Sequence, residues 1–262
     1  MAGYESLLWD QEGHVVTVTL NRPEKKNAMS RVMFDEIRAV FERISADDEV
    51  RCAVLTGAGD AFCSGADLSD PGNMVGSTLE GRARMEMVHG VASAFLRCPK
   101  PTIAKVTGIA AGAGANLAFG CDLIVASREA RFAELFVKRG LVVDFGGTWA
   151  LTRILPLHKA KELAFFGETI SAEEADRLGM LTKLCEPDEI DAVVKDLAER
   201  LASLPPKTLE LIKDNFNRAG ERSLEENLAA ESIGQVLSFS SDDTREAITA
   251  WVEKREPRFT GK

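Results

Sequence analysis

The chain reads as an α/β protein in which short apolar strands alternate with amphipathic helices before a wholly helical C-terminal segment takes over. Three observations carry that reading. Apolar runs of strand length recur at Val15–Leu20, residues 52–56, Thr102–Val106 and residues 122–126. Between them lie stretches with helical spacing, such as Met33, Phe34, Ile37, Val40 and Phe41. Beyond about Glu186 the strand pattern stops, and Pro187, Pro205-Pro206, Ser223 and Ser241 supply helix caps or breakers. Alternation of strand and helix predicts mainly parallel layers.

Taken in order, a hairpin opens the chain, with residues 6–9 facing Val15–Leu20 across a turn at Glu12-Gly13. The first helix starts after Ser30, whose hydroxyl can accept from the first-turn amides. The strand at 52–56 runs into a Gly/Ala loop and then a helix over residues 79–96. Thr102–Val106 leads into a second Gly-rich loop, a helix from Gly112 and the strand at 122–126. The expected organisation is a core over residues 1–200 and a helical region over residues 201–262 that has little core of its own.

Composition excludes several classes. Of 262 residues, 45% are hydrophobic and 28% charged, as in an ordinary globular protein. A net charge of −9 argues against nucleic acid, because phosphate backbones need a basic surface. The five cysteines, Cys52, Cys63, Cys98, Cys121 and Cys185, form no C-x-x-C pair and read as reduced thiols of a cytoplasmic protein. His14, His89 and His158 are too scattered for metal-ligand spacing. No apolar run is long enough to span a membrane, and the N-terminus lacks a signal pattern. Arg22, Lys25, Lys26, Arg82 and Arg84 are local basic positions, read either as solvated charges or as partners for an anionic ligand.

Two loops carry the chemistry. Leu55-Thr56-Gly57-Ala58-Gly59-Asp60 continues to Cys63-Ser64-Gly65-Ala66-Asp67-Leu68, and Gly108-Ile109-Ala110-Ala111 continues to Gly112-Ala113-Gly114-Ala115-Asn116-Leu117. In both, a backbone with few side chains can approach a ligand closely and aim N–H groups at it. The pair resembles the oxyanion hole of the crotonase (enoyl-CoA hydratase/isomerase) family. Val18-Thr19-Leu20-Asn21-Arg22-Pro23 with Asn27-Ala28, Cys121-Asp122-Leu123 and Gly146-Gly147-Thr148 extend the resemblance over nearly the whole chain. It implies a spiral of repeated β-β-α turns with a C-terminal helical trimerisation region, assembled as a trimer or as a hexamer of paired trimers. It also implies that the backbone N–H groups of Ala66 and Ala113 grip a thioester carbonyl.

The resemblance further implies where proton-transfer groups belong. The two glutamates of the family's hydratases correspond here to Asn116 and Phe136, and neither side chain exchanges protons near neutral pH. Asp144 occupies a position that is acidic in isomerase branches, beside Val142, Val143, Phe145 and Trp149. An apolar neighbourhood raises a carboxyl pKa and makes a better base. The plainer alternative is that Asp144 caps the following helix. Within the family the chain resembles the 1,2-epoxyphenylacetyl-CoA isomerase branch, through Ala111 to Leu117, Lys138 to Trp149, Ser171-Ala172-Glu173-Glu174-Ala175 and the C-terminal Pro257 to Lys262. That branch opens an epoxide and shifts enoyl double bonds with an aspartate at the Asp144 position; Val142-Val143 stands where a proline usually precedes it.

The resemblance places coenzyme A, as part of the substrate and not as a prosthetic group, along Lys25, Lys26, Ala28, Ser64, Gly65, Asp67, Leu68 and Gly112. Phe259 and Lys262 match a terminal Phe-x-x-Lys that contacts the nucleotide of a neighbouring subunit, or else belong to a frayed tail. Phe136, Phe145 and Trp149 are candidates for an aromatic acyl pocket or for ordinary core. The expectation is an acyl-CoA isomerase that uses Asp144. The alternatives are a hydratase with relocated acids, with Glu134 brought inward by a small register shift, and a non-catalytic acyl-CoA binder.

Overall fold

The computed structural model describes residues 3–73 and 76–262. Strands β1 (Leu7–Glu12) and β2 (Val15–Leu20) form the antiparallel hairpin, with Leu7 opposite Leu20. β1 reaches Glu12, three residues past the expected end. It is an edge strand whose outer positions hold Leu8, Asp10 and Glu12, so its charges hide the strand pattern while protecting the edge.

Helix α1 (Arg31–Ala46) starts where Ser30 Oγ accepts the Met33 N–H at 3.2 Å, and buries Met33, Phe34, Ile37, Val40, Phe41 and Ile44. Three successive turns of the chain then repeat one plan, a long strand followed at once by a short one. β3 (Cys52–Gly57) precedes β4 (Ala61–Cys63) and α2 (Thr78–Leu96). β5 (Thr102–Val106) precedes β6 (Ile109–Ala111) and α3 (Ala113–Phe119). β7 (Leu123–Ser127) precedes β8 (Arg131–Ala133), α4 (Gly147–Ile154) and α5 (Leu157–Phe166). After β9 (Thr169–Ser171), α6 (Ala172–Arg177) and β10 (Lys183–Cys185), the chain is helical.

This plan sorts the long strands, with the three-residue β10 at the far edge, into a six-stranded sheet, β1-β2-β3-β5-β7-β10, and the other short ones into a four-stranded sheet, β4-β6-β8-β9. All pairings are parallel except β1 with β2 and β8 with β9. β3 is buried on both faces, as parallel strands usually are. Ala53 and Leu55 face the main core with α1, while Cys52 and Val54 face Ile190, Val194 and Ala198 of α7 (Ile190–Ser203). α7 therefore runs through residue 200 as a covering helix of the large sheet, and ends at Ser203 before Pro205-Pro206.

Three further helices follow: α8 (Pro206–Arg218), α9 (Leu224–Phe239) and α10 (Asp242–Glu253). α8 is tied to the core by ion pairs of Lys213 with Asp122 at 2.6 Å and of Lys100 with Glu210 at 2.9 Å. Ser223 opens α9 with a capping box completed by Glu226. The last residues are held, contrary to a frayed tail: Asp243 accepts the Thr260 and Gly261 N–H groups at 2.7 and 2.9 Å. Among the described residues no helix is long and apolar enough to cross a membrane.

Candidate active site

Both sheets deliver loops to one place. Gly112, with φ of 54°, ends β6 and lets α3 begin at Ala113, whose N–H lies in the first turn and has no intrahelical acceptor. Gly65 has φ of 97°, and a Cβ there would lie 2.9 Å from the Ala111 carbonyl oxygen and 3.7 Å from the Ala113 nitrogen. The two loops therefore touch backbone to backbone. Ala66 forms a parallel bridge with Met29, in which Met29 N–H donates to the Gly65 carbonyl and Asp67 N–H to the Met29 carbonyl. In such a bridge the N–H of the central residue, Ala66, faces away from Met29.

That geometry is braced from the N-terminal side. Asn27 donates to the Ala58 and Ala61 carbonyls at 2.9 and 2.8 Å, and its own carbonyl accepts from Cys63 Sγ. Arg22 donates to the Ala28 carbonyl and pairs with Asp67 at 3.0 Å. Hydrogen bonds from Ser69, with those from Arg22, hold the Asp67 carboxyl below its ordinary pKa. The Asp67 side chain thus stabilises the loop from within, while Lys25, Lys26 and Leu68 are exposed and Ser64 N–H donates to the Lys26 carbonyl.

Asp144 stands on the loop between β8 and α4. Its carbonyl accepts from Asn116 Nδ2 at 3.0 Å and from Gly147 N–H at 2.9 Å, which ties it to α3 one turn beyond Ala113. It does not cap α4, because Gly146 is the cap residue, in the left-handed region and with no side-chain bond. Phe145, beside it, also has a positive φ of 55°, a strained state for a non-glycine residue. Asp144 Oδ1 is buried with no hydrogen-bond partner among the described residues. Burial raises its pKa, opposed by Arg84 and His89 of α2.

A second carboxyl lies in the same region. Glu134 directly follows β8, is 1% exposed, and has both side-chain oxygens buried without a partner. Desolvation, with the nearby Asp144 charge adding to it, pushes Glu134 up to about 8. Glu134 is thus already turned inward, without any register shift; nothing in its local sequence distinguishes it from the exposed glutamates.

The other expected contributors divide between the site and its surroundings. Phe136 sets its ring 3.8 Å from where a Cβ on Gly112 would stand. Phe145 packs on Phe34 of α1 as core, with ring centroids 5.9 Å apart. Trp149 donates to Glu221 at 3.1 Å and carries the Arg153 guanidinium 3.9 Å above its ring, so it faces the C-terminal helices. Val142 is 87% exposed, leaving the burial of Asp144 to other neighbours. Arg82 pairs with Glu86 on the surface, whereas Arg84 faces Asp144 and Asp70. Within one chain Phe259 and Lys262 are docked through their carbonyls, to Arg51 at 3.0 Å and to the Asp242 N–H at 2.8 Å.

The spiral of paired long and short strands places the chain among proteins of the crotonase fold. A solved enoyl-CoA hydratase structure from Mycobacterium smegmatis superimposes with a TM-score of 0.91 at 32% identity, over 97% of this chain and 98% of that one. The chain belongs to the enoyl-CoA hydratase/isomerase family, whose sequence profile matches residues 10–262. It is 39% identical to 1,2-epoxyphenylacetyl-CoA isomerase of Escherichia coli (strain K12), over 98% of this chain and 99% of that protein. Identity to the short-chain-enoyl-CoA hydratase of Clostridium acetobutylicum is 36%, over 96% of both.

Proposed function

We propose that the chain is an acyl-CoA isomerase that moves a double bond, or opens an epoxide, in a CoA thioester. The thioester carbonyl would accept from the Ala66 and Ala113 N–H groups. An adjacent C–H becomes removable once that oxygen can carry negative charge, and loss of one such donor typically lowers the rate about 100- to 1,000-fold. Asp144 takes the proton from one carbon, the electron pair moves through the enolate, and the same proton returns at the other end of the conjugated system. CoA would lie along Lys25, Lys26, Ala28 and the Ser64 to Leu68 loop, with Gly112 at the thioester.

The observation that carries this reading is the Asp144 carboxyl, half-buried and without a partner at Oδ1, on a residue whose backbone carbonyl Asn116 ties to the helix that presents Ala113. The identity to an isomerase supports it too. Asp144→Asn keeps the shape but removes the base, so isomerisation of a 3-enoyl-CoA should fall by about 100-fold or more with little change in acyl-CoA affinity. Isomerisation that survives the substitution would overturn the mechanism. The buried Glu134 favours a second reading, a hydratase with relocated acids, and hydration of a short 2-enoyl-CoA by the wild type would establish it.

A further inference from the structure

Glu134 is the most poorly compensated group in the site. β6 and β8 run parallel with Ala111 opposite Ala133, and Gly112 N–H donates to the Ala133 carbonyl at 2.8 Å. Gly112 and Glu134 consequently leave the small sheet side by side, immediately before the Ala113 donor. Asp144 comes to α3 through Asn116, and its buried Oδ1 is also unpartnered. Among the described residues the charged groups facing Asp144 are Arg84 and His89 of α2, and the one facing Glu134 is Asp144 itself. An ionised Glu134 would have neither donor nor cation, and burial of an unpaired charge is costly enough that such a group stays neutral instead.

We propose that Glu134 and Asp144 form one carboxyl pair that carries a single proton at neutral pH, held on Glu134, so that Asp144 remains the ionised base. Glu134 then acts as a positioning residue through Asp144, and only the kinetic consequence rests on the isomerase reading above. When Glu134 loses its proton to solvent, a second negative charge appears beside Asp144 and near the oxygen where the enolate charge develops. Turnover should therefore decline on the alkaline side, around the value of about 8 to which burial pushes Glu134.

Two measurements on the intact protein test this. In infrared spectra of the unliganded protein, a protonated-carboxyl C=O band should be present at neutral pH, disappear with alkaline titration, and be absent in Glu134→Gln. In Asp144→Asn, which removes the neighbouring charge, the band should disappear at lower pH. In the rate profile, Glu134→Gln should abolish the alkaline decline, raising the ratio of rates at about pH 9 and pH 7 by about tenfold, as loss of one ionisation near 8 requires. A wild type without the band, a band that persists in Glu134→Gln, or an unchanged alkaline decline overturns the pairing. A band that behaves as expected in a protein with no isomerase turnover upholds the pairing and overturns the isomerase reading alone.

Discussion

At Gly65 a single dihedral decides whether the oxyanion loop can exist, since φ of 97° lies where a side chain is strained and where proline, fixed near −65°, cannot go. Gly65→Pro should abolish acyl-CoA turnover while sparing much of the distant core, which steady-state rates and far-ultraviolet circular dichroism would separate; normal turnover would reduce the loop to a structural turn. Such positions are legible in sequence because glycine at a turn leaves a local mark, whereas Asp144 stands out only through the position that the family resemblance gives it. Glu134 carries no such mark. Its inward aim comes from the end of β8 and the 3₁₀ turn at Leu135–Arg139 that follows. Phe145 and Trp149 were equally opaque, because the partners that claim them, Phe34 and Glu221, are distant in sequence.

Between residue and fold, the segment from Arg22 to Met29 acts as a strap across the Ser64 to Asp67 loop. Its central tie is the ion pair of Arg22 with Asp67, mostly buried at both ends. Because the folded Asp67 pKa is below its unfolded value, the stability it contributes is fully present above the unfolded pKa and is lost as pH falls through the folded one. Asp67→Ala should lower stability at neutral pH by about 1–3 kcal/mol, the usual scale for leaving a buried partner unmatched. In urea unfolding, the gap between wild type and variant should then narrow below about pH 4; a gap that holds constant into acid would show that the charge of Asp67 contributes nothing. The strap is hard to read in advance, since Asn27 at φ of 54° resembles any turn residue until its two carbonyl partners are known. The short strands β4, β6, β8, β9 and β10 have three residues each, too few for a periodic signal, whereas β2, β3, β5, β7 and α1 announced themselves through runs of five or six residues and a helical stripe.

Across the whole molecule the surface is larger than one folded chain should have. A monomer of 28.5 kDa is expected to expose about 11,300 Å², and this chain exposes 13984 Å². Among the exposed apolar side chains, Leu228, Val236, Phe239, Trp251 and Val252 are all more than half exposed on α9 and α10. Isolated apolar residues on a surface need no explanation, but a run of them along two packed helices marks a contact between chains. An excess of roughly 2,700 Å² per subunit is in the range of a stable, obligate interface. A trimer or a pair of trimers, which the family resemblance implies, would cover such a surface, and light scattering at micromolar concentration should then return three or six times the chain mass of 28.5 kDa. Trp251→Glu, which puts a charge on the 81% exposed indole position, should shift that mass toward single chains without unfolding the core. A wild-type protein that scatters as a monomer, with its helical signal intact, would mean that these side chains face solvent in the working molecule.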